Sequence, residues 1–220
     1  MSKSIPLKHI FFKICEKIDS KIFYPVLSRS RVKKLNNKSL TIISNNCWAG
    51  KCYEFFGLPK ATPTVGGYFF AEEYVKFCKN LKYYLSLDLK LIDAKESKYY
   101  DVLLSKGEQN TIIGVLDDVE IVFLHYHDKK ALQEKWQRRI SRINWNAIVL
   151  KFSYQNMCTD DLIKEFLEID EFPKFCLVGE SITGHKDEII FKRSNGKETV
   201  DEIQNFNWYV DPIKILNERS

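Results

Sequence analysis

The stretch Leu40-Thr-Ile-Ile-Ser-Asn-Asn-Cys-Trp-Ala-Gly50 changes character twice within a few residues. Leu40–Ser44 is short, apolar and β-branched, which is the pattern of a buried strand. Asn45 and Asn46 make a polar turn, and the run through Tyr53, Phe55 and Phe56 to Gly57-Leu58-Pro59 has helical spacing. A buried strand, a polar turn and a helix form the local unit of α/β ligand sites. There the ligand lies at the carboxyl end of the strand and the free N–H groups of the helix start face an anion. Ser44, Asn45 and Asn46 are therefore expected to orient polar groups of a ligand. The plainer alternative is that Asn45 or Asn46 only caps the helix. The turn has neither a G-x-G-x-x-G nor a Walker lysine, so it fits no dinucleotide or P-loop fingerprint. Cys47 and Cys52 are five apart, which puts them on different helix faces and makes no metal pair.

Downstream, Ala61-Thr-Pro-Thr-Val-Gly-Gly67 reads as a loop, in which Gly66 and Gly67 either let backbone approach a ligand or only make the turn. A helix is predicted over roughly 71–87. Thr111–Tyr126 reads as a hairpin about Asp117-Asp118, with Val119, Ile121 and Phe123 on one face and Glu120, Val122 and Leu124 on the other. Asp128 starts a helix with an apolar stripe of Leu132, Trp136, Ile140 and Ile143. Ala147–Ser153, Phe175–Gly179 and Glu188–Lys192 read as strands, Thr159-Asp160-Asp161 as a helix start, and Asp211–Glu218 as a closing helix with Pro212 in its first turn. Strands alternating with helices predict an α/β fold with a largely parallel sheet and flanking helices, Rossmann-like, made mixed by the hairpin. If there are two lobes, the crossing lies near residues 90–110; the domain as a whole is drawn at 39–220.

The chemistry-bearing residues gather around the hairpin. His125 and His127 sit at the end of its second strand and point to opposite faces, so either could be a general base and together they are no metal site. At about 100° per residue, Lys135, Arg138, Arg139 and Arg142 fall in one arc beside the apolar stripe. Like charges so placed repel unless an anion or internal carboxylates neutralise them. The planar guanidinium fork suits phosphate. The alternative is a solvated face, or salt bridges to acidic residues elsewhere.

Charge is unevenly spread. Residues 1–38 hold ten basic and two acidic side chains, a net of +8, while the rest carries −3. A body that bound nucleic acid would carry its own positive field, so that class is excluded. Leu7, Phe11, Ile14, Ile18 and Ile22 line one face of an N-terminal helix that Pro25 ends. With the basic run behind it, that helix (residues 5–23) either lies on an anionic membrane or packs on its own domain. Six scattered cysteines and the lack of a signal-peptide pattern suggest a reducing, cytoplasmic setting, at the inner membrane face if the helix binds lipid.

Several segments taken together resemble a bacterial family of exopolysaccharide biosynthesis proteins filed as domain of unknown function 1919. They are Thr41–Trp48, Gly57-Leu-Pro59, Pro63-Thr-Val-Gly66, Phe123-Leu-His-Tyr126, Lys135-Trp-Gln-Arg-Arg139, Arg142-Ile-Asn144 and Cys158-Thr-Asp160. The resemblance covers residues 40–215 and implies an α/β fold and a role in making or decorating surface polysaccharide. It also brings Thr64, Gly66, Tyr126 and Asn144 into the expected ligand site as motif positions. Two departures stand out: Ala49 occupies a usual glycine, and Val122 stands where many relatives carry histidine, which would leave His125 to act alone. The resulting expectation is a transferase acting on a sugar phosphate or lipid-linked saccharide, with a nucleotide sugar or acyl-coenzyme A as donor. Acyl transfer comes first and glycosyl transfer second. His125 would be the base, with Cys47 as a speculative covalent nucleophile. The alternative is a non-catalytic, membrane-bound partner in polysaccharide assembly.

Overall fold

The computed structural model describes residues 24–219. The candidate N-terminal amphipathic helix lies outside the described residues. Helix α1 (Tyr24–Lys33) carries Pro25 in its first turn, where a missing N–H leaves no intrahelical bond unmade. Strand β1 (Thr41–Ser44) and helix α2 (Trp48–Phe56) follow. The single helix foreseen over 71–87 is two, α3 (Ala71–Lys79) and α4 (Leu81–Ser86), broken at Asn80, whose backbone leaves the helical region at φ −132°. Strand β2 (Lys90–Asp93), a 3₁₀ turn (Ala94–Glu96) and helix α5 (Tyr100–Ser105) occupy the stretch considered as a lobe crossing. The hairpin is β3 (Ile112–Leu116) and β4 (Val119–Phe123), with Asp117 in the left-handed region at the turn. Next come α6 (Lys129–Ile140), β5 (Ile148–Ser153), α7 (Asp160–Leu167), β6 (Lys174–Val178) and β7 (Glu188–Ile190). The short strands β8 (Ser194–Asn195) and β9 (Glu198–Thr199) precede helix α8 (Pro212–Asn217). Asp128 and Thr159 cap α6 and α7 through their side chains, as their positions before apolar-periodic runs lead one to expect, and Asp211 caps α8.

The chain is α/β. Strands β1, β5, β6 and β7 form a sheet in that order, parallel throughout. The hairpin does not join it, contrary to expectation. It pairs instead with β2 in a separate antiparallel sheet of order β2-β3-β4. Its strands are buried on both faces, so a second sheet hides them as well as an edge position would.

Alternation along the parallel strands sorts two cores. Ile43, Leu150, Phe152 and Cys176 face a cluster with α3, α4, α6, α7 and Val119, Ile121 and Phe123 of the hairpin. Ile42, Val149, Phe175 and Leu177 face the other way, onto Leu35, Trp48, Phe56, Phe206 and Leu216. Strands covered on both faces read as unbroken apolar runs, which is what their sequences show. The segment leading into β1 joins this second layer: Val32 and Leu35 pack in it, and Asn217 binds Lys34 O at 2.8 Å and the Asn36 N–H at 2.9 Å. Among the described residues no helix is long and apolar enough to cross a membrane. The five described cysteines are free.

Candidate functional site

The carboxyl end of β1 places the site. Ser44 lies opposite Lys151 of β5, and Asn45 continues the ladder by donating its N–H to Lys151 O at 3.3 Å. The Asn45 side chain donates to Ser153 O at 3.2 Å, and its carbonyl accepts the Phe69 N–H at 2.9 Å. Asn45 therefore ties β5 and the segment before α3 to the turn. Asn46 is fully engaged. Its Oδ1 accepts from Ser44 Oγ (3.1 Å), the Trp48 N–H (3.1 Å) and Lys151 Nζ (3.2 Å), and its Nδ2 donates to Gln155 Oε1 at 3.0 Å and Glu202 Oε1 at 3.3 Å. Ser44 and Asn46, expected to face a ligand, are buried and turned to internal partners; Asn45 is buried too, its Nδ2 bound to Ser153 O while its Oδ1 has no partner among the described residues. The N-cap of α2 is Cys47, without a side-chain cap bond; Asn46, one residue earlier, accepts the first N–H of the helix.

Behind this turn lies a group that sequence reading passed over. Lys151 is fully buried; its Nζ pairs with Glu202 and donates to Ser153 Oγ, and Glu202 also accepts from Thr199 Oγ1 at 3.2 Å. Burial pushes the Lys151 ammonium down, and Glu202 opposes that shift. One signal was available: a lysine in the middle of an otherwise apolar buried strand must have a buried partner. The partner, 51 residues away in an irregular segment, has no periodicity to betray it.

The next residue, Cys47, opens onto a cleft of about 340 Å³. One wall is α2 with Lys51 and Glu54, extended by Lys60. The other is α6 with Lys135 and Arg139. The Val65-Gly66 loop and His125-Tyr126 lie between them. Gly66 has φ +93°, and a Cβ there would sit 2.7 Å from the Tyr126 ring, so this position needs glycine for its conformation and for the close packing. The Gly66 carbonyl accepts the His125 N–H at 3.2 Å. Tyr126 donates its hydroxyl to Val65 O at 3.0 Å, and Arg139 Nη1 donates to the same carbonyl at 3.0 Å and to the Tyr126 oxygen at 2.7 Å. Lys135 Nζ lies 5.0 Å from the Tyr126 ring centre, within cation–π range. His125 is exposed on the cleft.

Five of the expected site residues thus meet with Cys47: Gly66, His125, Tyr126, Lys135 and Arg139. The others do not. Arg138 and Arg142 are exposed and outside the cleft. An arc of ~100° was too broad a criterion, because neighbours on a helix differ by that angle and α6 ends at Ile140, before Arg142. Asn144 donates its N–H to Thr41 Oγ1 at 2.9 Å and its side chain to Ser39 O at 3.1 Å, at the amino end of β1, so it braces the opposite end of the sheet. Thr64 is buried against Thr62. Val122 lies in a third core cluster with Tyr68 and Phe70, so a histidine at its place would start from that interior and not from the cleft. The Cys47 thiol is 3.8 Å from the Gly67 carbonyl. Burial pushes it up and outweighs the nearby Lys51 charge, the opposite of the shift that activates a thiol. Among the described residues, no cluster of His, Cys, Asp and Glu is arranged to hold a metal.

Fold and site together define an α/β protein with a basic cleft beside the carboxyl end of a parallel strand. The sequence pattern of a domain of unknown function, DUF1919, matches residues 18–217, and the chain belongs to that family. It is also similar to an uncharacterized protein of Haemophilus influenzae, 28% identical over 147 residues. That match covers 67% of this chain and 64% of the relative, so it spans under two thirds of the relative's length.

Proposed function

We propose that the chain is a transferase whose phosphate-bearing donor lies in the basic cleft, working in surface or exopolysaccharide synthesis. One observation carries the phosphate part. Three cations are buried among the described residues. Lys151 has Glu202 and Lys174 has Asp170, but the partners of Arg139 (8% exposed) among the described residues are a carbonyl and a hydroxyl, with no carboxylate. A buried charge without a counter-charge is costly, and an anion entering the cleft would remove that cost. The guanidinium can offer its remaining N–H groups to phosphate as a fork. The cleft sits where Rossmann-like folds bind ligands, at the carboxyl end of parallel strands.

His125 on the cleft is the candidate base, taking a proton from an acceptor hydroxyl. The sequence resemblance supplies the polysaccharide setting; acyl transfer is the first choice and glycosyl transfer the second. His125→Ala is expected to leave the urea midpoint unchanged and to abolish the change in surface-polysaccharide composition that the intact chain produces in cells. A variant that still produces the same change as the intact chain refutes the catalytic role.

A second, non-catalytic reading is favoured by the charge split: a membrane-bound partner in polysaccharide assembly, held through residues 5–23. Sedimentation with phosphatidylglycerol vesicles tests it. Deleting residues 1–23, which spares α1, is expected to release the protein; no binding by the full chain rejects this reading.

A further inference from the structure

We infer that the cleft is built for two linked phosphates, a diphosphate, and not for a single phosphate or a carboxylate; this rests on the cleft being the donor site. Its cations come from separate walls. Lys135 and Arg139 stand one turn apart on α6, while Lys51 and Lys60 belong to α2 and the segment after it. The lining holds one carboxylate, Glu54, so its formal charge is +3 with His125 neutral. A single carboxylate cannot reach cations on both walls at once.

Size points the same way. A cavity of about 340 Å³ is several times the volume of one orthophosphate, so an ion held by Arg139 leaves the far wall unmet. Neighbouring cations on one helix face lie ~5–6 Å apart at Cβ, which suits successive phosphates bridged by an oxygen. Among the described residues Lys60 pairs with Glu54 at 2.9 Å, between half-exposed side chains and so readily exchanged for a ligand. Nucleic acid also presents successive phosphates, but it needs a continuous basic groove. This cleft is a bounded concavity on a body of net charge −3.

Diphosphate is common to nucleotide sugars, coenzyme A thioesters and isoprenyl diphosphate lipids, so this chemistry admits both an acyl and a glycosyl donor. Titration calorimetry of the full chain separates the possibilities. Inorganic pyrophosphate is expected to bind at least ~10-fold more tightly than orthophosphate, which corresponds to ~1.4 kcal/mol. Lys60→Gln and Lys135→Gln, on opposite walls and at partly exposed positions, should each cut pyrophosphate affinity by ~10-fold and reduce the preference over orthophosphate. Equal binding of the two anions overturns the diphosphate inference and leaves a simple anion site; binding of neither removes the donor site as well. Unequal binding that survives both substitutions places the ion elsewhere and also overturns it. Three further arms then assign the source: a uridine diphosphate sugar, coenzyme A and farnesyl diphosphate. The one that binds more tightly than pyrophosphate, with its gain lost in Lys135→Gln, names the donor class.

Discussion

Two basic groups lie on either side of the β1–α2 turn, divided between Asn46 and Cys47. On the sealed side, Lys151 is matched by Glu202 and all its donors have partners. On the open side, Arg139 is nearly as buried but meets no carboxylate among the described residues. Charge inside a fold is tolerated when it is answered. Where the answer is internal the group is architecture; where it is missing, the proposed function assigns the group to a ligand. Burial alone does not separate the two cases; the partner does.

The largest expected effect is on the sealed side. Glu202→Ala strands a buried ammonium and should cost about 3–5 kcal/mol, read from the shift in urea midpoint. The double replacement Lys151→Met with Glu202→Leu should recover most of that loss, since apolar groups of similar volume often replace a buried pair without penalty. If the single change is mild, the contrast between the two sides collapses. Next is the wall of the open side. Gly66→Ala forces an L-residue to φ +93° against the Tyr126 ring and should destabilise by about 1–3 kcal/mol while weakening anion binding. A smaller effect separates arginines along α6. Arg138→Ala and Arg142→Ala should change pyrophosphate affinity by less than about twofold, against ~10-fold, or ~1.4 kcal/mol, for Lys135→Ala. Equal losses at all three would return the exposed arginines to the site.

The mildest test concerns pH and groups belonging to neither side. Hydrogen bonds from Lys76 and Tyr84 hold the Asp118 carboxyl below its usual range. Burial raises Glu188, but hydrogen bonds from Thr183, Ser181 and loop N–H groups outweigh it and the net shift is downward. A carboxyl lowered in the folded state contributes stability above its unfolded value, ~4, and loses that contribution as pH falls through the folded value. Urea midpoints should therefore be level from neutral pH to about 5 and fall below about 4, with Asp118→Asn flattening part of the fall.

How much of this could be read from the sequence follows the same division. The β1–turn–α2 unit, the stripe of α6 and the caps of α6 and α7 are local patterns, set by neighbours within a few residues, and they were legible. The partner sheet of the hairpin was not, because β2 is a short, half-exposed strand whose pairing with β3 is set at long range. Of the expected site residues, His125, Lys135 and Arg139 share one cleft, because charge and helix angle narrow the choice. Arg138 and Arg142 came with them because an angle read from sequence cannot show where α6 stops. Ser44 and Asn46 were assigned to a ligand because their real partners, Lys151, Gln155 and Glu202, come from distant parts of the chain.

The hydrogen bonds joining Asn217 to Lys34 and Asn36 have a consequence for assembly of the chain. Strand β1 finds its neighbour β5 only after a hundred residues have intervened, and the segment leading into β1 is fastened by the last helix. A polypeptide emerging from the ribosome would thus hold its first strand unpaired until late in synthesis, a slow, non-local closure. A version halted before α8 should linger in a protease-sensitive form, with early cleavage between Lys33 and Leu40.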